Sequence, residues 1–215
     1  VLIAPSASFN ADELLNPVVD YAKEHAIRHI VLISVMGIEN YDQAPLRKVE
    51  KHIEKSGIDF TFLRPNWFMQ NFNSGMIKSI KEQKAIMLPA GDSKTSFIDT
   101  RDIAAVAAEI LAKDEQSRKA LTLTGKESLD HSRIARSISN AGGEEIKYIP
   151  VSEEEAREGM KQMGWHDSTV NFMLRLYEGV RAGNSSAVTD DVEKILKREP
   201  IKFEKYAQDY SDYWK

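Results

Sequence analysis

The feature that most constrains this chain is an alternation. Short, nearly continuous apolar runs are followed by segments whose apolar residues recur at helical spacing. His29-Ile30-Val31-Leu32-Ile33-Ser34 is one such run and Phe60-Thr61-Phe62-Leu63 is another. A run of strand length without polar alternation suits a parallel strand covered on both faces. Residues 1–4 read as an earlier strand of the same kind, closed by Pro5 and Ser6. Asn10 and Glu13 have capping-box spacing, which predicts a helix over 10–25. Pro45 suits a first helical turn, Leu46, Val49 and Ile53 mark one apolar face, and Gly57 ends the segment. Strand, helix, strand, helix, strand with short links predicts an α/β fold: a doubly wound, mostly parallel sheet with right-handed crossovers.

Further along, the pattern predicts a helix over 71–84 and extended pieces at 86–88 and 96–98 around the Gly91-Asp92 turn. Asp99 is placed to cap a helix over 101–112, and Leu121-Thr122-Leu123 reads as a last strand before Gly125. Beyond Gly125 the texture becomes mainly helical. A helix over 128–141 stops at Gly142-Gly143, a short strand covers 146–149, and Ser152 with Glu155 forms a capping box. Helices over 168–181 and 189–197 follow. The expected division is 1–124 for the sheet domain and 125–215 for a small C-terminal lobe, with 66–98 contributing partly to the lobe.

Composition excludes several functions. The formal net charge is -4, so bulk electrostatics favour neither nucleic acid nor an anionic membrane as a partner. No apolar run is long enough to span a bilayer. There is no cysteine, which removes disulfides, thiolate catalysis and cysteine-bound metal. That is compatible with a cytoplasmic location, the expected one. The histidines are scattered, so no metal site is expected.

In open parallel sheets, ligands bind beyond the carboxyl ends of the strands. That rule selects Pro5 and Ser6, Ser34 and Val35, and the loop Pro65-Asn66-Trp67-Phe68. Ser34 offers a hydroxyl, Asn66 an amide that both donates and accepts, and Trp67 and Phe68 flat apolar surface. Either Ser34 and Trp67 serve a ligand, or Ser34 begins a turn and Trp67 fills a gap. Lys48 points away from the apolar face of its helix, among Lys51, His52 and Lys55, as a solvated cationic stripe would. A helical Tyr-x-x-x-Lys pair would need tyrosine at position 44, where the chain has Ala44. None of the eleven glycines has the G-x-G-x-x-G spacing that cradles a pyrophosphate at a helix N-terminus.

Several stretches together carry a resemblance. Ile30-Val31-Leu32-Ile33-Ser34, Lys48-Val49-Glu50, the run from Ser56 to Phe72 with Leu63-Arg64-Pro65-Asn66-Trp67-Phe68 at its centre, Phe97-Ile98-Asp99-Thr100-Arg101-Asp102-Ile103-Ala104 and Leu121-Thr122-Leu123-Thr124-Gly125 occur in order. The chain resembles the NmrA-like family of atypical, extended short-chain dehydrogenases. The resemblance implies a Rossmann-like NAD(P)-binding domain with a small substrate lobe, here without the N-terminal glycine-rich unit, which is expected to precede Val1 as roughly 60 residues. It implies NADP or NAD as cofactor, NADP favoured, and a small-molecule substrate. It places Pro5, Ser6, Ser34, Val35, Lys48, Pro65, Asn66, Trp67 and Phe68 at the cofactor, with Lys48 at the family's lysine position as the catalytic candidate. The implied activity is hydride transfer to a quinone-like or other conjugated molecule. A non-catalytic NAD(P)-sensing regulator and a cofactor-free relic stay open beside it.

Overall fold

The computed structural model describes residues 1–5, 10–113 and 117–215. Its elements are β1 (Leu2–Ile3), α1 (Ala11–Glu24), β2 (His29–Ile33), α2 (Pro45–Ser56), β3 (Asp59–Pro65), α3 (Ile77–Gln83), β4 (Ala85–Leu88), β5 (Lys94–Thr95), α4 (Thr100–Lys113) and β6 (Lys119–Leu123). Then come β7 (Leu129–Asp130), α5 (His131–Gly142), β8 (Lys147–Pro150), α6 (Glu153–Gln162), α7 (Asp167–Arg181), α8 (Asp191–Leu196) and α9 (Phe203–Asp209). No helix among the described residues is long and apolar enough to cross a membrane.

The chain divides into two compact units. The first takes in Val1–Asn66, Thr100–Thr124 and Thr189–Glu199. Its four-stranded sheet has the order β1-β2-β3-β6, parallel throughout. The unbroken apolar runs are explained by cover on both faces. Ile30, Leu32 and Phe62 turn to one face with Val19, Val49 and Ile53 of α1 and α2, while α4 packs against β2 and β3. On this second face, buried His29 shares a 2.9 Å hydrogen bond between its Nε2 and the Thr61 hydroxyl, so the polar atoms of a covered sheet are satisfied. Gly57 closes α2 at φ 85°, a left-handed cap that glycine reaches without strain.

The second unit comprises Trp67–Asp99, Gly125–Val188 and Pro200–Lys215. It holds two small sheets, β4 with β8 in parallel and β5 with β7 antiparallel. Its core is aromatic: Phe72, Phe203, Tyr206 and Trp214 are fully buried, and Phe72 meets Phe203 edge to face at 5.3 Å. The Ser152–Glu155 capping box forms as expected.

Three expectations need correction. Asn10 precedes α1, but its side chain makes no cap bond and donates instead to Glu13 at 3.3 Å. The helix expected over 71–84 is confined to α3, because Asn73, Ser74 and Gly75 favour turns over helix. The extended piece expected at 96–98 pairs two residues earlier, as β5. Ser6 lies outside the described residues.

Candidate functional site

Because its strands are parallel, the first unit brings their carboxyl ends to one edge. The ladder runs past the end of β2: the Ser34 amide donates to Leu63 O at 2.7 Å and the Met36 amide to Pro65 O at 3.0 Å. The Asn66 amide donates to Leu123 O at 3.0 Å. Ser34 and Asn66 therefore stand at the same edge on neighbouring strands, each 6% exposed. The Ser34 hydroxyl is buried and has no hydrogen-bond partner. Beside it Val35 is 40% exposed, while Pro65 is buried and half-buried Pro5 lies just past β1.

Lys48 sits at the start of α2, which leaves the same edge because the helix follows β2. Its ammonium lies 3.4 Å from the Asp12 carboxylate at the start of α1 and is 45% exposed. Neighbouring basic side chains have carboxylate partners too. Lys51 meets Asp42 and His52 meets Asp20, each at 2.7 Å, and the Lys51 ammonium holds the Asp42 carboxyl below its usual range. Lys48, Lys51 and His52 of the stripe read from the sequence thus each face a carboxylate, at exposed positions where such contacts contribute little.

Sequence reasoning missed the residue that fixes this edge. Glu50 is fully buried. Its carboxylate accepts a bidentate pair from Arg64, Nε at 3.0 Å and Nη2 at 2.8 Å, and a third bond from Arg47 at 2.7 Å. Arg64 also pairs with Glu39 at 3.1 Å, in the loop after β2. One guanidinium thereby ties β3 to α2 and to the loop carrying Ser34 and Val35. Such planar, charge-assisted bonds fix geometry as well as energy. The signal was present in the sequence: Glu50 follows Val49 on the apolar stripe that ends at Ile53.

Trp67 and Phe68 belong to the second unit. The Trp67 ring stacks on Tyr177 at 5.2 Å, and Phe68 bridges Ile98 through the backbone. An open cleft of about 430 Å³ in the first unit lies between Lys23, Arg28, Gly57 and Asp59. That is the amino edge of the sheet, opposite the expected site.

Comparison with known proteins agrees with this architecture. The sequence model of the NmrA-like family matches residues 17–213. The chain is 30% identical over 193 residues to an NAD(P)H azoreductase of Xenophilus azovorans, covering 87% of this chain and 66% of that protein. It is 26% identical over 208 residues to prestalk A differentiation protein A of Dictyostelium discoideum, covering 97% of this chain and 68% of that one. The chain thus spans about two thirds of the length of these relatives. Among solved structures, an NADPH-dependent quinone oxidoreductase of Escherichia coli, complexed with NADPH, superposes with a TM-score of 0.85 at 19% identity, over 97% of this chain and 75% of that one. At that identity the likeness carries the fold alone. The fold, the ordered motifs and the family match over most of the sequence agree: this chain belongs to the NmrA-like family.

Proposed function

We propose that this chain carries the nicotinamide side of an NAD(P)H-dependent oxidoreductase that reduces a quinone-like or other conjugated small molecule. One observation carries the reading. A buried hydroxyl without a partner, on Ser34, stands beside Asn66 at the carboxyl edge of a parallel sheet. An unpartnered buried hydroxyl costs about 1–3 kcal/mol, and a carboxamide laid along this edge relieves that cost. The names of the azoreductase and quinone oxidoreductase relatives point to the same chemistry.

The residues present fit the nicotinamide half of a dinucleotide. Ser34 would donate to a carboxamide oxygen and Val35 would offer apolar contact to a ring, with Pro5 and Pro65 bounding the edge. Lys48, tethered by Asp12, supplies positive charge on the same side. The described residues hold no glycine-rich strand-to-helix turn for the pyrophosphate. When bound, the reduced dinucleotide supplies the hydride. Ala44 stands where a proton-donating tyrosine would be, so the chemistry suits an acceptor that needs no concerted protonation. Trp67 and Phe68 remain candidates for ring contacts on the strength of the family resemblance.

Reduced nicotinamide mononucleotide isolates this half, because it needs no pyrophosphate cradle. Titration with it, and with NADPH, is expected to shift the amide resonances of Ser34, Val35 and Asn66, and NADPH turnover with a quinone panel is expected to fall in Ser34→Ala. Failure of both ligands to move those resonances would overturn the reading. Binding without turnover of any quinone would favour an NAD(P)-sensing role, which the missing tyrosine also suits.

A further inference from the structure

The loop from β2 to α2 carries Val35, and it is fastened unevenly. The sheet ladder reaches as far as the Met36 amide, which donates to Pro65 O at 3.0 Å. Gly37 then turns the chain at φ 81°, a left-handed conformation that suits glycine. Beyond it the backbone bonds are local: the Ile38 amide to Val35 O at 3.3 Å, Asn40 to Gly37 O at 3.1 Å and Tyr41 to Ile38 O at 3.0 Å. Local bonds shape a turn without fixing it to the rest of the fold. Side chains do that. Ile38 is buried, Asp42 meets Lys51 at 2.7 Å, and the Glu39 carboxylate meets Arg64 Nη1 at 3.1 Å. Arg64 is itself anchored, because its Nε and Nη2 are held by Glu50. The two carboxylates on this guanidinium differ in one respect. The Glu50 side chain is 0% exposed and that of Glu39 is 43% exposed. Salt and water reach the second and not the first.

We propose that Glu39 is a positioning residue for the nicotinamide edge: paired with Arg64, it latches the 35–41 turn so that Val35 faces the ring, and breaking the pair releases that turn while the sheet stays intact. The inference rests on the reading of Ser34 and Val35 given above and adds the part that moves. Three features carry it. Glu39 follows the Gly37 turn by two residues, and the Ile38 amide closes on Val35 O, so a shift of Glu39 reaches Val35 through one short turn. The guanidinium is planar and fixed by two bonds to Glu50, so its remaining nitrogen presents a preset direction to Glu39. The contact is exposed, so it adds little to global stability and opens without unfolding the unit. Ser34, by contrast, is held by the ladder through its amide on Leu63 O at 2.7 Å and does not depend on the latch. The ring thus meets a rigid contact on Ser34 and an adjustable one on Val35.

Two matched deletions in the 215-residue chain test this. Glu39→Ala removes the latch. Glu54→Ala removes another exposed pair of the same hub, Glu54 on Arg47 at 2.9 Å with its side chain 37% exposed, but does not touch the loop. Amide hydrogen exchange is read first, without ligand. Glu39→Ala is expected to speed exchange of the Ile38, Asn40 and Tyr41 amides about twofold to fivefold, the factor that an exposed ion pair supplies, and to leave the Ser34 amide unchanged. Glu54→Ala is expected to leave all four as they are. Salt at about 1 M, which screens charges beyond roughly 3 Å, is expected to reproduce the Glu39→Ala effect in the parent and to add nothing in the variant. Glu39→Gln keeps an oxygen for the guanidinium without the charge and is expected to fall between the two. Reduced nicotinamide mononucleotide is then expected to bind Glu39→Ala about twofold to fivefold more weakly than the parent, and to bind Glu54→Ala as it binds the parent. Unchanged exchange over 38–41 in Glu39→Ala overturns the proposal. So do equal effects of the two deletions, or an unaltered nucleotide affinity beside faster exchange. Failure of the parent to bind the nucleotide sinks the nicotinamide reading instead, and the latch is then decided by exchange alone.

Discussion

The two units differ in the buried polar groups they carry. In the first, the fully buried carboxylate of Glu50 is met by three guanidinium bonds, and the His29–Thr61 pair is closed within the sheet. Among the described residues this unit still leaves Asn16 Oδ1, Arg47 Nε and, at the carboxyl edge, the Ser34 hydroxyl without a hydrogen-bond partner. In the second, rings fill most of the interior, yet Thr95 and His131, which line a small cavity, each carry an unpartnered atom. Charge in the first unit holds backbone in place. Orphaned polarity in the second borders a space of about 10 Å³, the size of one water molecule. The lesson is that a buried polar group with all its partners reads as scaffold, and one without them reads as a candidate contact.

The sharpest way to break this contrast is to open the ionic hub. Glu50→Ala leaves Arg64 and Arg47 without their shared buried partner, and stability is expected to fall by about 3–5 kcal/mol. The denaturation midpoint measures this. A loss below about 1 kcal/mol would reduce the hub to the rank of the surface pairs.

Next in size is a pH effect from the second unit. Burial lowers the His131 pKa from 6.5 to about 4. Above pH 6.5 both folded and unfolded chains hold this ring neutral. Below it the unfolded chain takes a proton that the folded chamber refuses. Stability should therefore fall as pH drops from about 6.5 to about 4, by up to about 1.4 kcal/mol per unit, and level off below. His131→Phe is expected to abolish that part of the slope; an unchanged profile would remove His131 from the account.

A smaller effect tests packing. A Cβ on Gly142 would lie 2.7 Å from Cβ of Trp214, whose indole donates to Ala207 O at 2.7 Å. Gly142→Ala is expected to cost about 1–3 kcal/mol and to shift the Trp214 indole resonance. Retention of both would mean the terminus moves aside freely.

The smallest expected effect is the most informative about function. Ser34→Ala should not destabilise the chain, since the hydroxyl it removes is buried without a protein partner. A large loss would make Ser34 a part of the scaffold, like Glu50.

Much of the fold was legible in the residues. The runs at 29–34 and 60–63 are covered on both faces, and a parallel sheet with crossover helices is the arrangement that covers them. Gly57 and the Ser152–Glu155 box set helix ends through local backbone chemistry, which sequence records directly. So were Ser34 and Asn66, because residues just past parallel strands reach one edge whatever the details. Sequence could not give what depends on distant partners. Asn10 has the spacing of a capping box, but its side chain turned to Glu13 instead. The place of Glu50 on the apolar stripe of α2 marks its burial, but its partner Arg64, fourteen residues on, is supplied only by the fold. The Thr95–His131 chamber depends on the pairing of β5 with β7, and two-residue strands leave no periodic trace. Periodicity and caps are local and written in order along the chain. Burial of a charge, or its want of a partner, is a property of neighbours that only tertiary packing supplies.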